Sequence, residues 1–191
     1  MALRPLLLAC LLILAACTAS ADGEVAWPLP GAEERPTPLS FGLYVTPDPE
    51  QNPIDPPERF TGYHAAVDFE ILPGEEEAEV PVFAACDGEV AAAELAEGYG
   101  GLVTQRCVIR GERVMALYGH LSLNDLPRSG ARLQAGDRLG TLAPARSADS
   151  GETRKHLHFG LVRGWSDEIR GYVQEESELR AFLDPRAVLP R

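Results

Sequence analysis

Glycine and aspartate interrupt this chain at short intervals, and that punctuation leaves little room for long helices. Turn residues stand at Cys86-Asp87-Gly88, Gly98-Tyr99-Gly100-Gly101, Gly111-Glu112, Gly130 and Ala135-Gly136-Asp137. Between them lie short runs rich in β-branched and apolar residues. The runs Val67 to Leu72, Glu79 to Ala84, Gly88 to Glu94, Leu102 to Arg110, Val114 to His120, Arg138 to Leu142 and His156 to Arg163 are predicted as strands. Many short strands with regular turns predict a mainly β fold, an antiparallel sandwich or barrel-like sheet with little helix. Glu175 to Leu183 is the one predicted helix, ended by Asp184-Pro185. Five prolines between Thr46 and Pro57 predict a long irregular loop.

The N-terminus bears on the compartment. Arg4 precedes the apolar run Pro5 to Ala16, which is too short to span a bilayer as a mature helix. Residues 1–16 read as a secretory signal. Leu14-Ala15-Ala16-Cys17 resembles a bacterial lipobox, which implies cleavage before Cys17, acylation of Cys17 and membrane anchoring through its acyl chains. Thr18, a residue other than Asp after the cysteine, suits the outer membrane by the Gram-negative rule. The expectation is an exported protein, lipid-anchored in the cell envelope; the alternative is an ordinary cleavable signal with an incidental cysteine. Residues 17–38, rich in Ala, Pro, Glu and Gly, are predicted as a flexible tether, and 39–191 as the folded domain. Of the four cysteines, Cys10 leaves with the signal and Cys17 is assigned to lipid. Cys86 and Cys107 are then expected to pair as a disulfide, against two buried free thiols. The net charge is −12 and no Lys/Arg cluster occurs, which argues against nucleic acid as a partner.

The four histidines carry the chemical signal. On a strand, residues two apart share a face, so His156 and His158 project side by side while Leu157 and Phe159 face the core. His64 and Asp68 add an imidazole and a carboxylate, and His120 lies in Tyr118-Gly119-His120-Leu121. Three ligands from this set plus water make an open zinc site, with an imidazole left over to handle protons.

The succession His64-x-x-x-Asp68, Tyr118-Gly119-His120-Leu121 and His156-Leu157-His158-Phe159 resembles the lysostaphin/LytM-type zinc endopeptidases. Val80 to Val90, Gly98-Tyr99-Gly100 and Ala135 to Gly140 fit the same pattern, from about Ser40 to Pro185. The resemblance implies that family's fold and hydrolysis of peptide bonds in bacterial peptidoglycan, as stem-peptide cross-links or bridges. It implies His64, Asp68 and His158 as zinc ligands and His120 and His156 as catalytic residues. Two departures stand out: Ala66 where the family has Gly, and Ser150 to Lys155 in place of a Ser/Thr-Gly-rich lead-in. Tyr118 and the loops 46–57 and 143–154 are expected to wall the substrate groove. The alternative on the same fold is a non-catalytic activator or cell-wall binding module. A metal-storage lipoprotein would want His-rich runs, which are lacking here. Export and the resemblance favour the wall over protein substrates.

Overall fold

The computed structural model describes residues 23–190. The predicted signal stretch, Cys10 and Cys17 lie outside the described residues. Twelve strands are assigned within them: β1 Tyr44–Val45, β2 Gly62–His64, β3 Ala66–Glu70, β4 Pro81–Phe83, β5 Gly88–Ala96, β6 Gly100–Ile109, β7 Glu112–Leu121, β8 Arg132–Leu133, β9 Arg138–Thr141, β10 His156–Arg163, β11 Tyr172–Val173 and β12 Phe182–Leu183. The main sheet runs β12-β10-β7-β6-β5-β8, all antiparallel, and β3 pairs with β10 along the same edge as β12. A small sheet β1-β2-β11 and the pair β4-β9 complete the fold. The mainly β, antiparallel architecture expected from the turn spacing is what the chain adopts.

Alternation of side chains divides the main sheet into two faces. Val67 and Phe69 of β3, Val114, Ala116 and Tyr118 of β7, and Leu157, Phe159 and Leu161 of β10 enter one large core, joined by Val80, Val82 and Leu139. The opposite face carries Ala66, Asp68, His156 and His158, and farther along it a smaller cluster of Met115, Leu117 and Val162 with Val173 and Phe182. The functional side chains therefore stand on the back of the core strands, where packing on the other side holds the backbone. Cys86 and Cys107 are disulfide-bonded inside the large core, with Cα atoms 5.9 Å apart.

Two expectations need correction. The described part of the span 17–38 is not a flexible tether: Leu29 and Ala32 are buried and Val25 bridges to Cys86. Arg35, 3% exposed, donates to both oxygens of Glu75 at 2.6 and 2.8 Å. The Ala/Pro/Glu composition concealed a few apolar residues spaced to meet the sheet, a tertiary choice without local periodicity. The predicted helix over Glu175 to Leu183 is a 3-10 helix, Glu176–Ala181, followed at once by β12. Phe182 pairs with Val162, and edge pairing wins over continued helix there. Asp184-Pro185 starts a short helix, α1 Pro185–Val188, with Asp184 accepting from the Arg186 N–H as its N-cap and Pro at the first position.

Candidate metal centre and cleft

The ladder between β3 and β10 sets His158 opposite Asp68 and His156 opposite Glu70. His64 comes from β2, beside Tyr172 of β11. Ala65 alone separates β2 from β3, and His64 meets Asp68 across this break. His64 Nε2 lies 3.3 Å from Asp68 Oδ1 and 3.3 Å from His158 Nδ1, and His158 Nδ1 lies 3.0 Å from the same oxygen. All three residues are buried. Among the described residues they form a group whose ligand atoms fall within 4.8 Å of one another, the spacing a single ion needs.

Asp68 Oδ1 is buried without an aligned hydrogen-bond donor. A buried carboxylate oxygen left so is costly. Two imidazole nitrogens converge on it, and a cation bound between the three atoms would satisfy that oxygen. The donor set fits a metal ion. Burial pushes the Asp68 carboxyl up, but the charges of His156 and His64 and the polar contacts of His156 and His158 together outweigh it and hold the group well below the usual carboxylate range.

The two other histidines flank this cluster. His156 sits between two acceptors, the Arg154 carbonyl 3.0 Å from Nδ1 and Asp68 Oδ2 3.2 Å from Nε2. His120 presents Nδ1 to the Ser150 carbonyl at 2.9 Å, so the proton resides on Nδ1 and Nε2 keeps its lone pair. The rings of His120 and His156 are 4.4 Å apart. Burial and the neighbouring His156 push the His120 pKa well below the usual histidine value.

His120 reaches this face through a β-bulge. Gly119 pairs with Leu102 and Leu121 with Gly101, so His120 is an extra residue on β7. Its φ is 66°, in the left-handed region that non-glycine residues seldom adopt. This overturns the expected place of Tyr118 in the groove wall. Without the bulge, Tyr118 and His120 would share a face; with it, Tyr118 stays in the core, fully buried. Its hydroxyl accepts from the Ala85 N–H and donates to Gln105 Oε1, both at 2.8 Å.

His120, His156 and His158, with Asp68, open onto a cleft of about 360 Å³. Its walls include Phe60, Tyr99, Tyr172, Ile169 and Arg170, with Glu58 and Gln174. The loop 46–57 does not line it; the residues just after that loop do. Of 143–154 only Thr153 contributes a wall, although the Ser150 carbonyl holds His120. Tyr99 packs its ring 5.2 Å from His158 and donates its hydroxyl to the Ile169 carbonyl at 2.5 Å, tying two walls together. Gly171 is needed at this seam: a Cβ there would stand 2.9 Å from the Tyr99 hydroxyl and 3.0 Å from His158 Cε1.

Sequence reasoning missed Tyr99, Tyr172, Glu58 and Arg154 as site residues. Arg154 Nη2 donates to Asp68 Oδ2 at 2.7 Å and to Glu70 Oε1 at 2.7 Å. Burial lowers the Arg154 pKa, and the Asp68 and Glu70 carboxylates raise it by more, so it is firmly charged. The available signal was an Arg-Lys pair directly before a His-x-His strand that shows two carboxylates, Asp68 and Glu70, on the facing strand.

Peptidase family M23 matches residues 62–169, a span that begins just before His64 and includes all five site residues. The chain belongs to this family. That bears out the resemblance to lysostaphin/LytM-type peptidases drawn from the three motifs. Among solved structures, Csd3 of Helicobacter pylori is similar over 89% of this chain, at 18% identity and a TM-score of 0.53. This chain spans 36% of the length of Csd3. A chain of the SpoIIQ–SpoIIIAH pore forming complex is similar over 87% of this chain and 91% of its own length, at 14% identity and a TM-score of 0.57. Lysostaphin, in a solution structure, is 20% identical over 85% of this chain and 55% of its own, with a TM-score of 0.49. No curated protein matches the chain.

Proposed function

We propose that this M23 family member is a zinc endopeptidase that hydrolyses peptide bonds of bacterial peptidoglycan. The observation that carries the reading is the convergence of His64 Nε2, Asp68 Oδ1 and His158 Nδ1 around one undonated carboxylate oxygen, with two further histidines beside the cluster at the cleft. Two imidazole nitrogens and a carboxylate oxygen suit zinc, and three protein ligands leave a position open. Zinc held there supplies Lewis-acid polarisation of a carbonyl and acidifies water.

The chain's own residues supply the rest. His120, fixed by the Ser150 carbonyl, offers the Nε2 lone pair to take a proton from attacking water and to return it to the leaving amine. His156 Nε2 stands on the Oδ2 side of Asp68, beside the ligand cluster, where an N–H can steady negative charge developing on the scissile oxygen. Phe60, Tyr99 and Tyr172 give the cleft flat apolar walls against which an extended peptide can lie.

A similar fold occurs in a chain of a pore forming complex, so fold alone does not separate hydrolysis from an assembly role. The two histidines outside the ligand cluster favour hydrolysis, since a binding module has no use for them. For the N-terminus, the reading is that Cys17 is acylated and holds the domain in the cell envelope against the wall. Incorporation of labelled palmitate, abolished by Cys17→Ala, is the expected result.

Digestion of purified cross-linked peptidoglycan, with muropeptides read by mass spectrometry, tests the function. Cross-linked dimers should fall to monomers, a chelator should stop this, and added zinc should restore it. Intact dimers in the presence of stoichiometric zinc would sink the enzyme reading, and casein cleavage with untouched sacculi would redirect it to protein substrates.

A further inference from the structure

An Asp side chain turns easily about its last torsion, which is broad and two-fold, so the rotamer alone does not choose which oxygen meets a metal. At Asp68 the choice is made by neighbours. One oxygen, Oδ2, receives the Arg154 guanidinium at 2.7 Å, its shortest contact, with His156 Nε2 at 3.2 Å; the other, Oδ1, lies between His64 and His158 with no aligned donor. We infer that Arg154 is a positioning residue, which holds Asp68 Oδ2 so that Oδ1 is the metal-facing oxygen. The inference rests on the metal-centre reading above.

The guanidinium is itself held on several sides. Nε lies 2.9 and 3.1 Å from the two oxygens of Glu70, Nη2 bridges Glu70 and Asp68, and Nη1 reaches Glu58 Oε2 at 3.3 Å. Its side chain is 19% exposed and meets Asp68 and Glu70 of β3, where that strand pairs with β10. Asp68 and Glu70 are two apart on β3, so they present carboxylates to the same face, and Glu58 adds a third. A planar fork can serve all three at once. A lysine ammonium, a single point of charge, cannot bridge Asp68 and Glu70 in the same geometry. Partners that orient a metal ligand in this way commonly account for 10- to 100-fold in metal affinity.

The test is the zinc dissociation constant of the full chain, measured by competition with a chromophoric chelator. Arg154→Met should weaken zinc by about 10- to 100-fold, and Arg154→Lys should stay weakened, against one tightly held zinc in the parent. Far-UV circular dichroism of the metal-free proteins reports folding separately. Should Arg154→Met fail to fold around its unpaired carboxylates, the double variant Arg154→Met/Glu70→Gln removes one of those charges and decides the matter. The double variant should remain weak in zinc, since Oδ2 still lacks the Arg154 guanidinium and keeps only His156 Nε2. Affinity within about threefold of the parent in either folded variant overturns the positioning role. A parent chain that takes up no zinc overturns the metal centre itself, and the inference with it.

Discussion

At the scale of single residues the site divides five groups into two kinds. His64, Asp68 and His158 point ligand atoms at one another, while His120 and His156 each present Nδ1 to a backbone carbonyl. Two substitutions should separate these kinds. His158→Ala is expected to lose zinc by elemental analysis. His120→Ala is expected to keep zinc and lose peptidoglycan hydrolysis by roughly 10²- to 10⁴-fold, the usual worth of a general base. Equal zinc loss in both would contradict the division. The protonation state gives a second prediction. Burial and His156 hold His120 below the ordinary histidine value of 6.5, so Nε2 stays unprotonated through mildly acidic pH. As pH falls, activity is lost only when His120 protonates; the acid limb of kcat/KM should therefore have its midpoint under 6.5, and a midpoint at or above 6.5 would assign the limb to another group.

At the scale of elements, β7 shows how one inserted residue re-aims a strand. Up to Tyr118, even-numbered residues enter the core; after the bulge, His120 faces the cleft and Leu121 returns to the core. Tyr118 is thus a strut of the core, linking β7 to Ala85 and to Gln105 of β6. Tyr118→Phe would leave the buried Ala85 N–H unpartnered and should destabilise the fold by about 1–3 kcal/mol in urea denaturation. Specific activity of the folded fraction should hardly change. A large loss of activity without loss of stability would return Tyr118 to the groove wall.

At the scale of the whole molecule, the N-terminal segment is latched to the strand that carries His-x-His. Arg35 binds Glu75, and Lys155 Nζ, just before β10, donates to the carbonyls of Glu75, Glu76 and Ala78. The Arg35 hydrogen bonds hold the Glu75 carboxyl below its usual 4.5, against a smaller opposing effect of burial. A depressed carboxylate contributes stability that is present above the unfolded value and lost as pH falls through the folded one. Glu75→Gln should therefore cost about 2–3 kcal/mol at pH 7, since it strands the buried Arg35 charge. The gap between variant and parent should narrow below pH 4.5, measured by urea denaturation across pH. A gap that stays constant with pH would remove the ion pair from the account.

Local chemistry was enough for much of this. Turn residues bounded the long strands to within a residue or two, and His156–Arg163 was placed without error, because β-periodicity and glycine act over a few neighbours. The His-x-x-x-Asp and His-x-His spacings were legible for the same reason: each is two ligands on one short stretch of backbone. What the sequence could not determine depends on partners distant along the chain. The two-residue strands β1, β8, β11 and β12 exist only because an edge is there to pair with. Burial of residues near Leu29 needs the finished sheet. The turn of His120 toward the cleft needs the register between β6 and β7. The contact of Arg154 with Asp68 joins residues 86 positions apart. Short-range sterics and hydrogen bonding are written in adjacent residues; register, edge pairing and the sharing of one buried charge among three carboxylates are decided only when the strands meet.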